Sequence, residues 1–242
     1  DVYKRQSEKF PLPSPIPLMP GNTIFFQLIL HQALGYAEQF RGFGLYEVGA
    51  DERAAETVAK AKAFGVRAAA YKCDVADFAL VEETFRRIGE DFGRIDILVN
   101  NAGVFSYLDI LATPVERIER MILLHDLTLS KNCRAFGADM AQRGSGYILN
   151  MSSYSVWMPF PGMALYTATK AYVRCFSKAF AKEVAERGVR VTAVCPAGVA
   201  TDLYGLSPKW QHIGRRLGVL ISPDSCACLL YTSPSPRDRQ KS

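Results

Sequence analysis

The chain has 242 residues and a mass of 26.8 kDa, 49% of them hydrophobic and 22% charged, which suits one well-buried core and excludes a disordered, collagenous or coiled-coil chain. Its net charge is +5, but Lys4 and Arg5 against Asp1, and Arg237, Arg239 and Lys241 against Asp238, supply three of those five charges. The remainder is interspersed with acids, without the clustered basic face that a nucleic acid wants, and no apolar run approaches the roughly 20 residues of a membrane span.

In chain order, residues 1–6 and 229–242 fit no helix or strand template, and both read as translated sequencing-adapter sequence. Residues 11–20 alternate proline with other residues and are expected to be extended. One domain is therefore expected over 21–227, between a non-native or disordered segment at 1–20 and another at 228–242. The apolar run 24–30 predicts a buried strand, and a weaker strand near 45–48 precedes a helix at 51–64. Next come a strand at 66–73, a helix at 77–92 and a strand at 95–99 entering Asn100-Asn101-Ala102-Gly103. A long helix at about 113–142 follows, then a strand at 147–151, a helix at 163–187 closed by Gly188, and a strand at 189–194. Near-continuous apolar strands alternating with amphipathic helices predict an α/β fold: a three-layer, doubly wound parallel sheet of the Rossmann type, in a single domain. The six cysteines show no metal-ligand spacing and, in a chain that needs no staples, are read as reduced thiols of a cytoplasmic protein.

Ligands of such sheets bind beyond the carboxyl ends of the strands. At those ends stand Asp74-Val75, Asn101-Ala102-Gly103, Ser152-Ser153 and a turn from Pro196 through Gly198 and Val199 to Thr201. Tyr166 and Lys170 lie four residues apart, on one face of the helix after Ser153. A tyrosine of pKa ~10 is a poor acid or base at neutral pH, and an ammonium beside it favours the phenolate. A drop of ~3 units requires roughly 4 kcal/mol. Alone, such a pair could equally be an exposed helix pair, and Ser153 a turn serine. Together they place a hydroxyl beside a phenol.

Asn100-Asn101-Ala102-Gly103, Ser153, Tyr166-x-x-x-Lys170 and the 196–201 turn, in this order and spacing, resemble the classical short-chain dehydrogenase/reductase family over about residues 33–227. The resemblance implies hydride transfer between NAD or NADP and a small-molecule carbonyl/alcohol pair, with no nucleic acid and no membrane span involved, and a homo-oligomeric parent enzyme. It implies Tyr166 as acid/base, Lys170 lowering the phenol pKa and holding the nicotinamide ribose, and Ser153 positioning the substrate oxygen. Asp74 and Val75 would contact the adenine, Asn101, Ala102 and Gly103 would line the cofactor cleft, and Pro196, Gly198, Val199 and Thr201 would border the carboxamide.

Three departures from the pattern stand out. The glycine-rich phosphate turn should fall on 28–35, where only Gly35 is a matching glycine; Ile29 and Ala33 put side chains where phosphates would sit, which suggests a frameshift or chimeric join upstream of about residue 34. The asparagine that completes the family's catalytic set falls, by count, on Asp126, as a water-binding group or as a surface residue in another register. The final strand is expected to be missing beyond about residue 226. An alternative reading is accordingly a non-catalytic fragment that keeps the fold but binds no dinucleotide. For the cofactor, Asp51 at the end of the second strand favours NAD if it accepts the ribose hydroxyls, although it could equally cap a helix, and Arg53 could favour a 2′-phosphate; the balance falls to NAD. Tyr154, Trp157, Met158, Phe160, Leu203 and Trp210 around the site suit an apolar substrate, or simply pack a loop and a subunit interface. The three histidines are read as packing or surface residues.

Overall fold

The computed structural model describes residues 22–24, 42–47, 51–63, 65, 67–73, 77–223 and 225–226. Six strands run through it: β1 (Asn22–Ile24), β2 (Gly42–Glu47), β3 (Arg67–Lys72), β4 (Ile95–Asn100), β5 (Gly146–Met151) and β6 (Val189–Val194). They form one wholly parallel sheet in the order β3-β2-β1-β4-β5-β6. The chain winds outward from β1 to β3, then returns to lay β4 on the other side of β1, so the strand order reverses between β1 and β4. That reversal is the switch point at which open α/β sheets bind ligands.

The connecting helices are α1 (Asp51–Ala63), α2 (Phe78–Phe92), α3 (Val115–Ile122), α4 (Leu129–Arg143), α5 (Ala164–Val184) and α6 (Pro208–Arg216). Their ends follow local chemistry. The Asp77 carboxylate accepts from the backbone N–H groups of Ala79 and Leu80, capping α2. Gly144 and Gly188, both left-handed, stop the helical runs before β5 and β6. There the two turns touch, since a Cβ on Gly188 would lie 1.9 Å from the Gly144 carbonyl oxygen.

The strands differ from the predicted ones in two places. β1 begins at Asn22, ahead of the apolar run, whose remainder lies outside the described residues. β2 takes in Gly42-Phe43-Gly44, which pair with Arg67, Ala68 and Ala69 of β3; small residues there hide a strand from a reading based on apolar alternation. The long helix predicted over 113–142 is three pieces, because residues Leu123–Thr128 form a π-helical turn between α3 and α4. Such a turn costs no apolar residue and leaves no mark in the pattern.

The core is built where sheet and helices meet, from Leu98, Val99 and Ile148 on the strands and Ile88, Cys133, Met140 and Val173 on the helices, none more than 1% exposed. Through it runs a file of polar side chains. Asn132 Nδ2 donates to Asn100 Oδ1 (3.0 Å), Asn100 Nδ2 to Asn150 Oδ1 (2.8 Å), Asn150 Nδ2 to Ser177 Oγ (2.9 Å), and Ser177 Oγ to the Val173 carbonyl (2.6 Å). The amides of Asn100 and Asn150 both donate and accept within it, as burial of a polar group demands.

Candidate active site

β4 and β5 end side by side, with Asn100 opposite Asn150, and the segments leaving these two strand ends build the site. After β5, Ser152 turns inward: its N–H donates to the Val194 carbonyl at 2.7 Å and its hydroxyl to the Lys170 carbonyl at 2.7 Å. Ser153 then caps a single 3-10 turn (Tyr154–Trp157), accepting from the Ser155 N–H at 3.2 Å. Met163 leads into α5, and Tyr166 and Lys170 come one helical turn apart on its buried side, 5% and 6% exposed.

Ser153, Tyr166 and Lys170 are brought together. The Ser153 hydroxyl lies beside the Tyr166 phenol, near enough to lower its pKa, and Lys170 Nζ lies 5.9 Å from the centre of the Tyr166 ring while donating to the Met151 carbonyl at 2.9 Å. Burial is the dominant force on both. It pushes the Tyr166 phenol up to about 12, against the downward pull of the Ser153 hydroxyl, and brings the Lys170 ammonium down to about 8, against the attraction of Asp126. In the protein alone the phenol is therefore held protonated, rather than drawn toward the phenolate as the helical spacing suggests.

Asp126 lies on the π turn with His125. One of its carboxylate oxygens is buried without a hydrogen-bond partner, and burial raises its pKa to about 6 while Lys170 opposes the shift. The end of β4 closes the other side: Asn101, Ala102, His125, Met151 and Lys170 share the walls of one cleft. Gly103 faces the same groups, since a Cβ there would lie 3.1 Å from His125 Nε2 and 3.4 Å from Lys170 Nζ. Only glycine leaves that wall flat.

The 196–201 turn is held from two directions. The Pro196 carbonyl accepts from the Tyr154 N–H at 2.9 Å. The Gly198 carbonyl accepts from the Ile221 N–H at 2.8 Å, the Ala200 N–H donates to the Ile221 carbonyl at 2.9 Å, and Val199 pairs with Ile221 in a parallel bridge. Gly198 is pressed on Leu220, where a Cβ would meet a methyl at 2.7 Å. Thr201 Oγ1 accepts from the Leu203 N–H at 3.4 Å. Asp51 is the first residue of α1, and its side chain lies outside the described residues, as do Gly35, Asp74, Val75 and the 28–35 turn.

Several residues that line the site have no mark in the sequence. His125 is 2% exposed, with Nε2 accepting from the Val104 N–H at 3.0 Å and Nδ1 2.8 Å from Thr169 Oγ1. Phe105 stands edge-on between the rings of Tyr166 (5.0 Å) and Tyr204 (4.9 Å). Their contacts span tens of residues, so no local spacing singles them out.

The model of the short chain dehydrogenase family matches residues 42–212, more than half of the chain. The chain belongs to the short chain dehydrogenase family. Among its relatives in that family are the 3-oxoacyl-(acyl-carrier-protein) reductase of Synechocystis, 38% identical over 146 residues (60% of this chain, 59% of the relative), and that of Staphylococcus aureus, 34% identical over 172 residues (71% and 70%). A probable oxidoreductase of Mycobacterium tuberculosis is 34% identical over 149 residues, 61% of this chain. The chain spans only 25% of the length of that mycobacterial relative. Among solved structures, a short-chain dehydrogenase from Sphingobium yanoikuyae in complex with NADPH superposes with a TM-score of 0.73 at 27% identity, over 90% of this chain and 85% of that one. An NAD+-bound xylitol dehydrogenase superposes with a TM-score of 0.75 at 21% identity, over 89% and 94%, which attests the shared Rossmann-type fold. Among the described residues no helix is long and apolar enough to cross a membrane, and no cluster of acidic, His or Cys side chains could hold a metal ion.

Proposed function

We propose that this chain is an NAD(P)-dependent oxidoreductase acting on a small-molecule carbonyl/alcohol pair. The observation that carries the reading is the convergence of Ser153, Tyr166 and Lys170 beside the cleft at the end of β4, with the Ser153 hydroxyl acting on the Tyr166 phenol and Lys170 Nζ 5.9 Å from its ring. Membership of the family and the dinucleotides held by two solved neighbours support it.

The described part of the cleft fits a nicotinamide riboside. Gly103 keeps its wall open to close approach, and Lys170 spends one of its three N–H groups on the Met151 carbonyl, leaving two for ribose hydroxyls. The cofactor, when bound, supplies or accepts the hydride. The chain's residues handle the proton and the substrate oxygen. Ser153 donates to that oxygen, which sets it beside the Tyr166 hydroxyl. The phenol, held protonated by burial at about 12, is in the form that gives a proton to a carbonyl oxygen as it becomes an alcohol, so reduction is the direction for which the resting site is set. Lys170 stabilises the phenolate left behind and Asp126, across from it, steadies the ammonium. Asp51, opening α1 after β2, favours NAD by accepting the adenosine ribose hydroxyls. The exposed rings of Tyr107, Tyr154, Trp157 and Phe160 suit a substrate with an apolar body.

The test is consumption of NADH and of NADPH against a panel of apolar ketones, with Tyr166→Phe as control. The variant should lose ~100-fold or more in kcat while its dinucleotide dissociation constant stays within about twofold, because the hydroxyl acts on the substrate. Equal turnover by Tyr166→Phe, or no binding of either dinucleotide by the folded chain, would overturn the reading.

A further inference from the structure

His125 is buried on the π turn, on none of the strand ends, yet both of its ring nitrogens are engaged with site elements. The directions of these bonds follow from valence. Thr169 Oγ1 gives its one hydrogen to the Tyr166 carbonyl at 2.9 Å, so toward His125 it can only accept. The imidazole must then donate from Nδ1 at 2.8 Å. Nε2, receiving the Val104 N–H at 3.0 Å, must be bare. The result is a one-way file: Val104 N–H to Nε2, Nδ1–H to Thr169, Thr169 to the Tyr166 carbonyl. Both ends are backbone groups that do not titrate, so the file moves no proton. It joins the loop after β4 to the first turns of α5.

We propose that His125 is a positioning residue, a neutral strut that fixes the 101–104 turn, the wall of the dinucleotide cleft, against the helix that carries Tyr166 and Lys170. Packing agrees with the bonds. The imidazole stands edge-on to the Tyr166 ring at 6.0 Å, and Gly103 rests so close that a Cβ would come within 3.1 Å of Nε2. Protonation would put a hydrogen where the Val104 N–H already points and a second cation near Lys170; burial and that ammonium together push the imidazole down to about 3, so the strut holds throughout the neutral range. In its link to the dinucleotide the inference rests on the proposed oxidoreductase function, whereas the strut itself does not.

Two variants separate the roles. His125→Leu fills the space but leaves the half-buried Val104 N–H unpaired, whereas His125→Gln offers both an acceptor and a donor. In His125→Leu the Val104 amide should lose its hydrogen-exchange protection, and the NADH dissociation constant should rise about tenfold or more, equivalent to about 1.4 kcal/mol. His125→Gln should restore both to within about threefold of the parent. Imidazole 15N NMR, with three histidines to assign, should find the His125 proton on Nδ1. A proton on Nε2, or a folded His125→Leu with parental Val104 protection and NADH affinity, would overturn the proposal. If His125→Leu fails to fold, the NMR result and the Gln variant decide it. If the parent chain binds no dinucleotide, the oxidoreductase reading falls and the strut is judged on the tautomer and the Val104 amide alone.

Discussion

Lys170 is held as a cation at a cost, and removing it should leave the protein at least as stable while ending its chemistry. The ammonium is 6% exposed and its pKa falls from 10.5 to about 8, chiefly through burial. At 1.36 kcal/mol per pH unit that is roughly 3 kcal/mol against the charged form at neutral pH. Lys170→Met keeps the aliphatic length and deletes the charge, but leaves the Met151 carbonyl without its Nζ donor, a loss of about 1–3 kcal/mol. The net expectation at pH 7.5 is a variant as stable as the parent or up to about 2 kcal/mol more stable. The sign with pH comes from linkage. Between the folded pKa of about 8 and the unfolded 10.5 the unfolded chain binds the extra proton, so parental stability should rise with pH there. From pH 7.5 to 9.5 the rise is about 2 kcal/mol from this group, and Lys170→Met should lack it. Urea unfolding of both proteins at the two pH values measures this, and their difference cancels the thiols and tyrosines common to both. Parallel stabilities at the two pH values, or a variant more than about 2 kcal/mol less stable at pH 7.5, would refute the reasoning.

Three more expectations rest on single contacts. Gly188→Ala combines a backbone φ of +75° with a Cβ 1.9 Å from the Gly144 carbonyl oxygen, and should cost at least about 3 kcal/mol, lowering Tm by roughly 6–12 °C in a thermal melt; a Tm within about 2 °C of the parent would contradict it. Asn150→Ala deletes the central amide of the polar file, with its bonds to Asn100 and Ser177, and should lose about 2–4 kcal/mol in urea unfolding. Gly103→Ala sets a methyl 3.1 Å from His125 Nε2 and 3.4 Å from Lys170 Nζ. Its circular dichroism should be unchanged while the NADH dissociation constant rises about tenfold, the equivalent of a modest overpacking cost.

The repeating strand and helix pattern is readable from the helix at 51–64 onward because β4, β5 and β6 carry apolar residues and open just after a glycine, and a glycine follows every helix except α3, which runs into the π turn. β2 reads three residues late because its first half is Gly42-Phe43-Gly44, and the π turn is invisible because the buried positions Met121, His125, Thr128, Leu129, Asn132 and Cys133 keep a helix-like spacing through it. In the site, Ser153, Tyr166 and Lys170 are legible as a motif of fixed spacing on one strand end and one helix face. The field acting on them is not. Burial of Tyr166 depends on Phe105, 61 positions away, and on Tyr204 behind it, so the upward push on the phenol is a property of tertiary packing. His125 escapes for the same reason, since its partners lie 21 and 44 residues off.

The polar file through the core has a consequence for how the sheet finds its alignment. Asn100 faces Asn150 only because Ile97, Leu98 and Val99 are matched in turn with Tyr147, Ile148 and Leu149. An apolar parallel pair is otherwise indifferent to sliding by two residues, which keeps every side chain on its own face. Here a slide by two would carry one amide past the other and strand both in hydrocarbon, with Ser177 and Asn132 left reaching for absent partners. The asparagines thus act as a key cut into an apolar lock. They admit β5 beside β4 at one setting, and with it they fix how far Ser153 stands from the helix that carries Tyr166.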